Sequence, residues 1–457
     1  MTLIIVTMLL LAYLLIATGH LTGVNKAAIA MFLGTIGWVV YVCWGADFVM
    51  AQHPAEYIEW LGSSAPDSDK VKWFIYDHVF LKYVGKAAAI VLFLLATMSI
   101  VELLSNNGCF DFITEWIRTR NSKRLLWSIT AVTFVLSANL DNLTTATMML
   151  VIMHNILQNS RQRMYVGSAI VLAACCGGCF TVIGDPIGLI LWGNGAVTAT
   201  RFSAYLGLPA MLAWVVPTYL IGRELPDRLD TAWSASPYRG DETRLNRWQR
   251  VVMLFVGIGG LWFIPTFHNI TKLAPFLGAL CVLSVLWVVN EAFNRKLIGA
   301  DQMTGRRVPV SLQYGGFQQL LFVTGIMLGM GVVTETGVWG DVADWFDIYI
   351  PDVWLIGILA GFLSSIIDSF TIAISTLSLY NVGAGGMMTN GAYWGIIAYT
   401  TAVGGCLLSV GSVCGLALMR AEHVSLGWYI KHITPKVLLG FLLGYVVLWM
   451  EVNIMAL

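Results

Sequence analysis

Charge is what this sequence lacks. Only 11% of its 457 residues are Asp, Glu, Lys or Arg, while 58% are hydrophobic. A soluble domain carries about 25% charged residues, so this chain has too few to cover a water-facing surface. The charges present cancel, 26 basic against 26 acidic, which leaves no basic field to attract nucleic acid. A signal peptide is not indicated either: the opening run, Leu3 to Gly19, has no basic start and no small-residue cleavage site, so it reads as a membrane span. Eight cysteines lie mostly within apolar segments. The run Cys175-Cys176-Gly177-Gly178-Cys179 has no His or second Cys pair at a ligand spacing, so the thiols are read as small packing residues of membrane helices.

What is present is a series of apolar runs, each of roughly 17–23 residues and able to cross about 30 Å of hydrocarbon. The chain reads as an all-α polytopic membrane protein in contact with the lipid bilayer, without a separate soluble domain. Spans are expected at 3–19, 25–44, 84–104, 204–222, 249–266, 272–293, 316–337 and 432–450. Regions 166–195 and 391–416 are apolar but broken by Gly, Asp, Pro or Ser, and read as discontinuous spans. Segments 126–157 and 353–380 each carry an Asp midway and read as re-entrant hairpins, because irregular backbone at that depth survives only against protein or a wet cavity. Ten crossings result. The loops near 20–26, 105–124, 158–165, 223–250, 291–315 and 417–436 then share one side and hold 20 of the 26 Lys and Arg. Basic loops stay cytoplasmic, which puts both termini outside and suits a bacterial inner membrane.

The sequence also repeats itself. Under a shift of 227, "SANLDNLTTATM" (137–148) aligns with "SSIIDSFTIAIS" (364–375), and "GGCFTVIGDPIG" (177–188) with "GGCLLSVGSVCG" (404–415). The 24 aligned positions hold nine identities, among them Asp141/Asp368, Gly177/Gly404, Gly184/Gly411 and Gly188/Gly415. "GCFDFITEWI" (108–117) and "GVWGDVADWF" (337–346) resemble one another as amphipathic interfacial helices. The expected organisation is therefore a first repeat over 1–222, a cytoplasmic linker over 223–248 and a second repeat over 249–457. Five crossings per repeat would turn the second copy upside down, the architecture of secondary transporters with a site at the membrane midplane.

Three acids fall at the breaks: Asp141, Asp185 and Asp368. A charged group at the bilayer centre costs about 2.5–3.5 kcal/mol on insertion scales, so such acids are functional candidates. Around them stand uncharged oxygen donors, Ser137, Asn139, Asn142, Thr144, Thr145, Ser364, Ser369, Thr371 and Ser412, and none of the four motifs contains Lys or Arg. Hard oxygens with negative charge suit a small cation, Na⁺ or Li⁺, with Asp141, Asn142, Asp185 and Asp368 nearest to it. A carboxyl group withdrawn from water favours its neutral form, so one acid can be neutralised by a proton or by a metal cation, and that competition suffices for exchange. Each Asp also has a plain structural explanation as a helix N-cap, and the tip Thr and Ser residues can simply satisfy freed backbone groups. Glu102 is either an accessory on the ion path or an ordinary acid near the end of its span. His154 reads as interfacial.

"SANLDNLTT", "GG....IGDP", the Asp-bearing second hairpin and "GG....GS..G" together resemble the NhaD-type sodium/proton antiporters of the ion transporter superfamily. The resemblance implies Na⁺ or Li⁺ exchange for protons, no cofactor, no enzymatic activity, and a homodimer in which a mobile domain carries the hairpins past a scaffold. By motif it assigns Asn139, Asp141, Asn142, Thr144 and Thr145 to the first tip, Asp185 to the first break, Asp368 to the second tip and Ser412 to the second break. A channel is disfavoured by the inverted broken repeats, which favour alternating access, and two further alternatives are weighed. A sodium-coupled carboxylate symporter of the same superfamily would have Ser-Asn-Thr tips without an acid in both. An intramembrane aspartyl protease needs Gly-x-Gly-Asp, where this chain has Val182-Ile183-Gly184-Asp185.

Overall fold

The computed structural model describes residues 2–62, 65–117, 119–231, 245–294, 310–383 and 387–455. Much of the 223–248 linker and of the 291–315 loop therefore lies outside the described residues. Among the described residues, sixteen helical segments build the membrane unit. In the first half they are α1 (Thr2–Ala17), α2 (Lys26–Cys43), α3 (Ser68–Asn106), α4 (Ser122–Ser137), α5 (Asn142–Ile156), α6 (Ser160–Phe180), α7 (Pro186–Gly193) and α8 (Ala199–Gly222). In the second half they are α9 (Arg247–Thr271), α10 (Pro275–Asn294), α11 (Val310–Glu335), α12 (Val353–Ile366), α13 (Ser369–Leu379), α14 (Ala392–Gly404), α15 (Val413–Glu422) and α16 (Thr434–Met455).

Eight of these helices are long and apolar enough to cross a membrane: α2, α3, α6, α8, α9, α10, α11 and α16. The other two expected crossings are α1, which is shorter, and the broken pair α14–α15. The two segments expected as re-entrant hairpins are helix pairs, α4–α5 and α12–α13, each turning at its Asp. The segments 108–117 and 337–346, expected as interfacial helices, are helical over Asp111–Trp116 and Val338–Tyr349. Two features lie beyond the sequence reading. The helices Gly45–Gln52 and Pro54–Leu61 fill an expected loop, and a π-helical turn at Ile75–Phe80 carries α3 back past its expected start, while a second, Phe255–Gly259, lies within α9.

Helix pairing follows the repeat. α2 packs on α11 as α10 packs on α3; α1 lies on α2 as α9 lies on α10. Each hairpin's first arm rests on its own broken helix, α4 on α6 and α12 on α14. Each second arm crosses to the other half, α5 to α15 and α13 to α7. Two panels result: α1–α3 with α9–α11, and the hairpins with the broken helices and the paired α8 and α16. Burial separates them, since 83% of the apolar window of α6 is buried against 22% for α9 and 17% for α10. The lipid-ready side chains Phe255, Trp262 and Val288 are accordingly exposed.

The 227-residue shift recurs in individual contacts. Ser137 Oγ donates to Ala174 O at 2.6 Å, and Ser364 Oγ to Thr401 O at 2.8 Å; both residues of the second pair are the shifted positions of the first. A Cβ on Gly184 would lie 2.5 Å from Ser137 O, and one on Gly411 2.6 Å from Ser364 O. Only glycine lets the broken strand of backbone approach the hairpin so closely. Gly177 and Gly404 meet the carbonyls of Phe134 and Gly361 in the same matched way.

Candidate functional site

Four short helices begin at the centre of the hairpin panel, and each starts with a side chain that caps its free N–H groups. Asp141 caps α5, its Oδ2 accepting from Thr144 N at 3.0 Å and Thr144 Oγ1 at 3.1 Å. Asp185 caps α7, its Oδ1 accepting from Ile187 N at 2.9 Å. Asp368 caps α13, its Oδ1 accepting from Phe370 N at 3.0 Å and Thr371 N at 3.3 Å. Ser412 caps α15, its Oγ accepting from Gly415 N at 3.0 Å. The plain capping role is thus real for all three acids, but it occupies one oxygen of each. The second oxygens face other elements. Asp185 Oδ2 accepts from Asn142 Nδ2 at 2.8 Å, which joins the first tip to the first break. Asp141 Oδ1 faces Gln319 Nε2 of α11 at 3.4 Å. Asp368 Oδ2 lies 3.5 Å from Lys26 Nζ of α2.

All three carboxylates are buried, at 2%, 6% and 0% exposure for Asp141, Asp185 and Asp368. Four helix N-termini give them partial positive charge, worth a few tenths to 1 kcal/mol each near a surface and more when buried. A cavity of about 30 Å³ lies among these termini, lined by Asn142, Cys175, Asp185, Gln319, Ser369 and Ser412 with apolar neighbours. That is room for a water or a bare ion, which needs roughly 10–15 Å³, and not for a multi-carbon acid in this conformation. Several buried oxygens at the tips and on α11 have no hydrogen-bond partner, Thr145 Oγ1, Gln319 Oε1 and Thr371 Oγ1, while Asp368 Oδ2 has only the Lys26 ammonium beside it. Unpaired buried acceptors are costly, and each can be relieved by a cation or a donor. Among the described residues, no three His, Cys, Asp or Glu side chains converge as a metal-binding group; carboxylates here are supplemented by neutral oxygens instead.

The residues singled out from the sequence divide into groups. Asn142, Asp185, Ser369 and Ser412 line the cavity, and Asp141 reaches it through Gln319. Ser137 and Ser364 are turned to helix carbonyls and serve the hairpin–helix contact. Asn139 turns away: its Nδ2 donates to Val135 O at 2.7 Å and its Oδ1 accepts from Trp262 Nε1. Glu102 is exposed on α3 and is not among the cavity-lining residues. His154 Nδ1 lies 2.7 Å from Glu422 Oε1, and Arg163 Nε donates to Glu422 Oε2 at 2.6 Å, a cluster that ties the far end of α5 to the end of α15. The cysteines are free, and Cys175, Cys176, Cys179, Cys406 and Cys414 are buried around the two breaks.

Two site residues escaped the sequence reading. Gln319 was visible as an amide within an apolar span, "GGFQQLLF". Lys26 gives less warning, because in sequence it stands among the loop charges. Its depth comes from the parallel packing of α2 on α11: Gly325 abuts Ala30, Gly34 abuts Leu328, and Trp38 Nε1 donates to Leu328 O at 3.1 Å. The same register puts Lys26 level with about residue 321 of α11, in the turn that holds Gln319. Lys26 therefore points inward, not into a loop.

Comparison with known proteins follows the same architecture. Residues 2–404 match the family model described as "Citrate transporter". The chain is 31% identical over 367 residues to sodium/proton antiporter 1 of Arabidopsis thaliana, a match covering 79% of this chain and 61% of that protein. It is 30% identical to sodium/proton antiporter 2 of the same plant, covering 79% and 84%. It is 27% identical to the Na(+)/H(+) antiporter NhaD of Vibrio cholerae, covering 81% and 79%. The solved YdaH transporter of Alcanivorax borkumensis shares the fold, with a TM-score of 0.56 at 14% identity over 94% of this chain and 99% of that one. A polytopic helical unit with paired hairpins, broken helices and a site at their tips is a transporter's architecture rather than an enzyme's, and the chain belongs to the citrate-transporter family, within the ion transporter superfamily that includes the NhaD-type antiporters.

Proposed function

We propose that this protein exchanges Na⁺ or Li⁺ for protons across a membrane by alternating access. The observation that carries the reading is the set of three buried carboxylates, each with one oxygen capping a helix and the other held by a single side chain, with Asp185 lining a cavity the size of an ion. In one state protons neutralise the acids. In the other, a cation bound by Asp141, Asn142 and Asp185 does so, with Asp368, itself paired with Lys26, and the oxygens of Thr144, Thr145, Ser369, Thr371 and Ser412 close by. Ser137, Ser364 and Asn139 support the tips that hold them. Glu102 is at most an accessory acid on the ion's path. The antiporter relatives support the same ions.

The movement we propose is elevator-like. The hairpin panel slides past the panel of α1–α3 and α9–α11, with repeats 1–222 and 249–457 inverted about the membrane plane and joined by the 223–248 linker. A homodimer would hold the outer panel still. The basic loops put both termini outside, in a bacterial inner membrane.

A second reading, sodium-coupled carboxylate uptake, draws on the family's description and on the Lys26 ammonium at the site. The three carboxylates oppose it, and so does a cavity too small for such a substrate. Purified protein in liposomes holding a pH-sensitive dye separates the two. Pulses of NaCl or LiCl should alkalinise the lumen as the metal ion enters and protons leave, and Asp141→Asn should abolish the signal. A response to succinate or citrate that requires Na⁺, with none to the chloride salts, would establish the second reading instead.

A further inference from the structure

We propose that the ammonium of Lys26 is a tethered cation, occupying in the second repeat the counterpart of the transported cation's site in the first. The inference rests on the cation-exchange reading above and concerns how many ions that machinery binds.

Lys26 Nζ donates to Val410 O at 3.0 Å and to Ile367 O at 3.3 Å, and it lies 3.5 Å from Asp368 Oδ2. One oxygen comes from the hairpin turn, one from the broken helix and one from the carboxylate between them. An ammonium has three N–H bonds to direct, and here it meets three oxygens. Its side chain is 14% exposed, and that of Asp368 is fully buried. Unwound backbone carbonyls with a carboxylate are also what a small alkali cation takes at a broken membrane helix.

Shifting the three positions back by 227 gives Leu140, Asp141 and Ile183. There the free carboxylate oxygen faces an uncharged amide, Gln319 Nε2, whose own Oε1 is buried without a partner. The two halves therefore set matched carboxylates against different partners, an ammonium at Asp368 and an amide at Asp141. In the second the chain supplies the charge itself; in the first the charge must arrive as an ion. Burying an unpaired carboxylate is expensive, so Asp368 requires a counter-charge in this arrangement, and a tethered one cannot be exported. Lys26 also starts α2, in the panel opposite the hairpin that carries Asp368, so this link spans the surface along which the hairpins would slide.

The consequence is a stoichiometry. Wild type binds one Na⁺, and Lys26→Ala binds two, the second at Asp368. The test is equilibrium binding of radiolabelled Na⁺ to the purified full chain at fixed pH, for wild type, Lys26→Ala and Lys26→Ala/Asp368→Asn. The expected counts are one, two and one. One ion in both wild type and Lys26→Ala overturns the inference and leaves the exchange reading standing. No ion in wild type but one in Lys26→Ala supports the tethered cation and overturns the exchange reading; none in either overturns both. Because Lys26→Ala leaves Asp368 unpaired, its thermal stability is measured alongside. The melting temperature should fall in choline chloride and recover in NaCl, while the double variant should gain no such recovery. A Lys26→Ala protein equally unstable in both salts would overturn the inference as well.

Discussion

Replacing Asp185 by Asn separates the charge of this carboxylate from its structural duty. Asn caps a helix about as well as Asp, so its Oδ1 can still accept from Ile187 N, as Asp185 Oδ1 does at 2.9 Å. The other contact, Asn142 Nδ2 to Asp185 Oδ2 at 2.8 Å, becomes amide to amide. It is kept if Asn142 turns its own carbonyl toward the new donor, and otherwise costs about 0.5–1.5 kcal/mol. Folding should therefore change by about 1 kcal/mol or less. Cation binding loses far more. A unit charge 4 Å from a cation contributes about 4 kcal/mol at an effective dielectric of 20, and 1.4 kcal/mol is tenfold in affinity, so Na⁺ should bind about a thousandfold more weakly. Isothermal titration of the purified variant with NaCl, alongside its melting curve, measures both quantities. A folded Asp185→Asn protein whose Na⁺ affinity stays within about threefold of wild type would show that this acid does not hold the ion.

Competition between cation and proton sets a pH dependence. Below the titration range each bound cation must displace a proton, so the apparent Na⁺ affinity should rise by up to tenfold per pH unit for each proton displaced, and level off once the acids are ionised. A flat response from about pH 6 to 9 would rule the competition out. Gly411→Ala would push a methyl group to 2.5 Å from Ser365 O and 2.6 Å from Ser364 O. Backbone on both sides cannot yield, so melting should drop by the equivalent of about 1–3 kcal/mol and transport should fall with it; unchanged melting would refute the packing argument. Glu422→Gln removes the buried partner of Arg163 and His154. Breaking a buried pair costs about 3–5 kcal/mol, with the lower end expected because His154 is half exposed, and a melting curve in detergent decides it.

The parts of the fold that could be read in advance are those written as local pattern. Long apolar runs gave the spans, and an Asp in mid-run gave each hairpin turn. The 227-residue shift went further, because its glycine identities correspond to real backbone contacts, Gly184 to Ser137 and Gly411 to Ser364. Length was harder to read. The π-helical turn at Ile75–Phe80 joins a polar stretch to α3 through continuous helix, and polarity alone marks that stretch as loop. The site was legible where its residues sit in the motifs and obscure where another panel completes it. Lys26 is 342 positions from Asp368 in sequence, and nothing local announces their meeting. Asn139 erred the other way: its motif places it among the site residues, yet its amide is held by Val135 and Trp262.

The central claim is that one set of buried carboxylates is shared by protons and metal ions, and proton release on binding tests it most directly. Purified protein in weak buffer, near the midpoint of its pH response, is given NaCl while a pH indicator is followed. Protons should appear in solution in proportion to Na⁺ bound, with no release from choline chloride and almost none from Asp141→Asn or Asp185→Asn. Saturable Na⁺ binding by the wild-type protein without any proton release would contradict the claim.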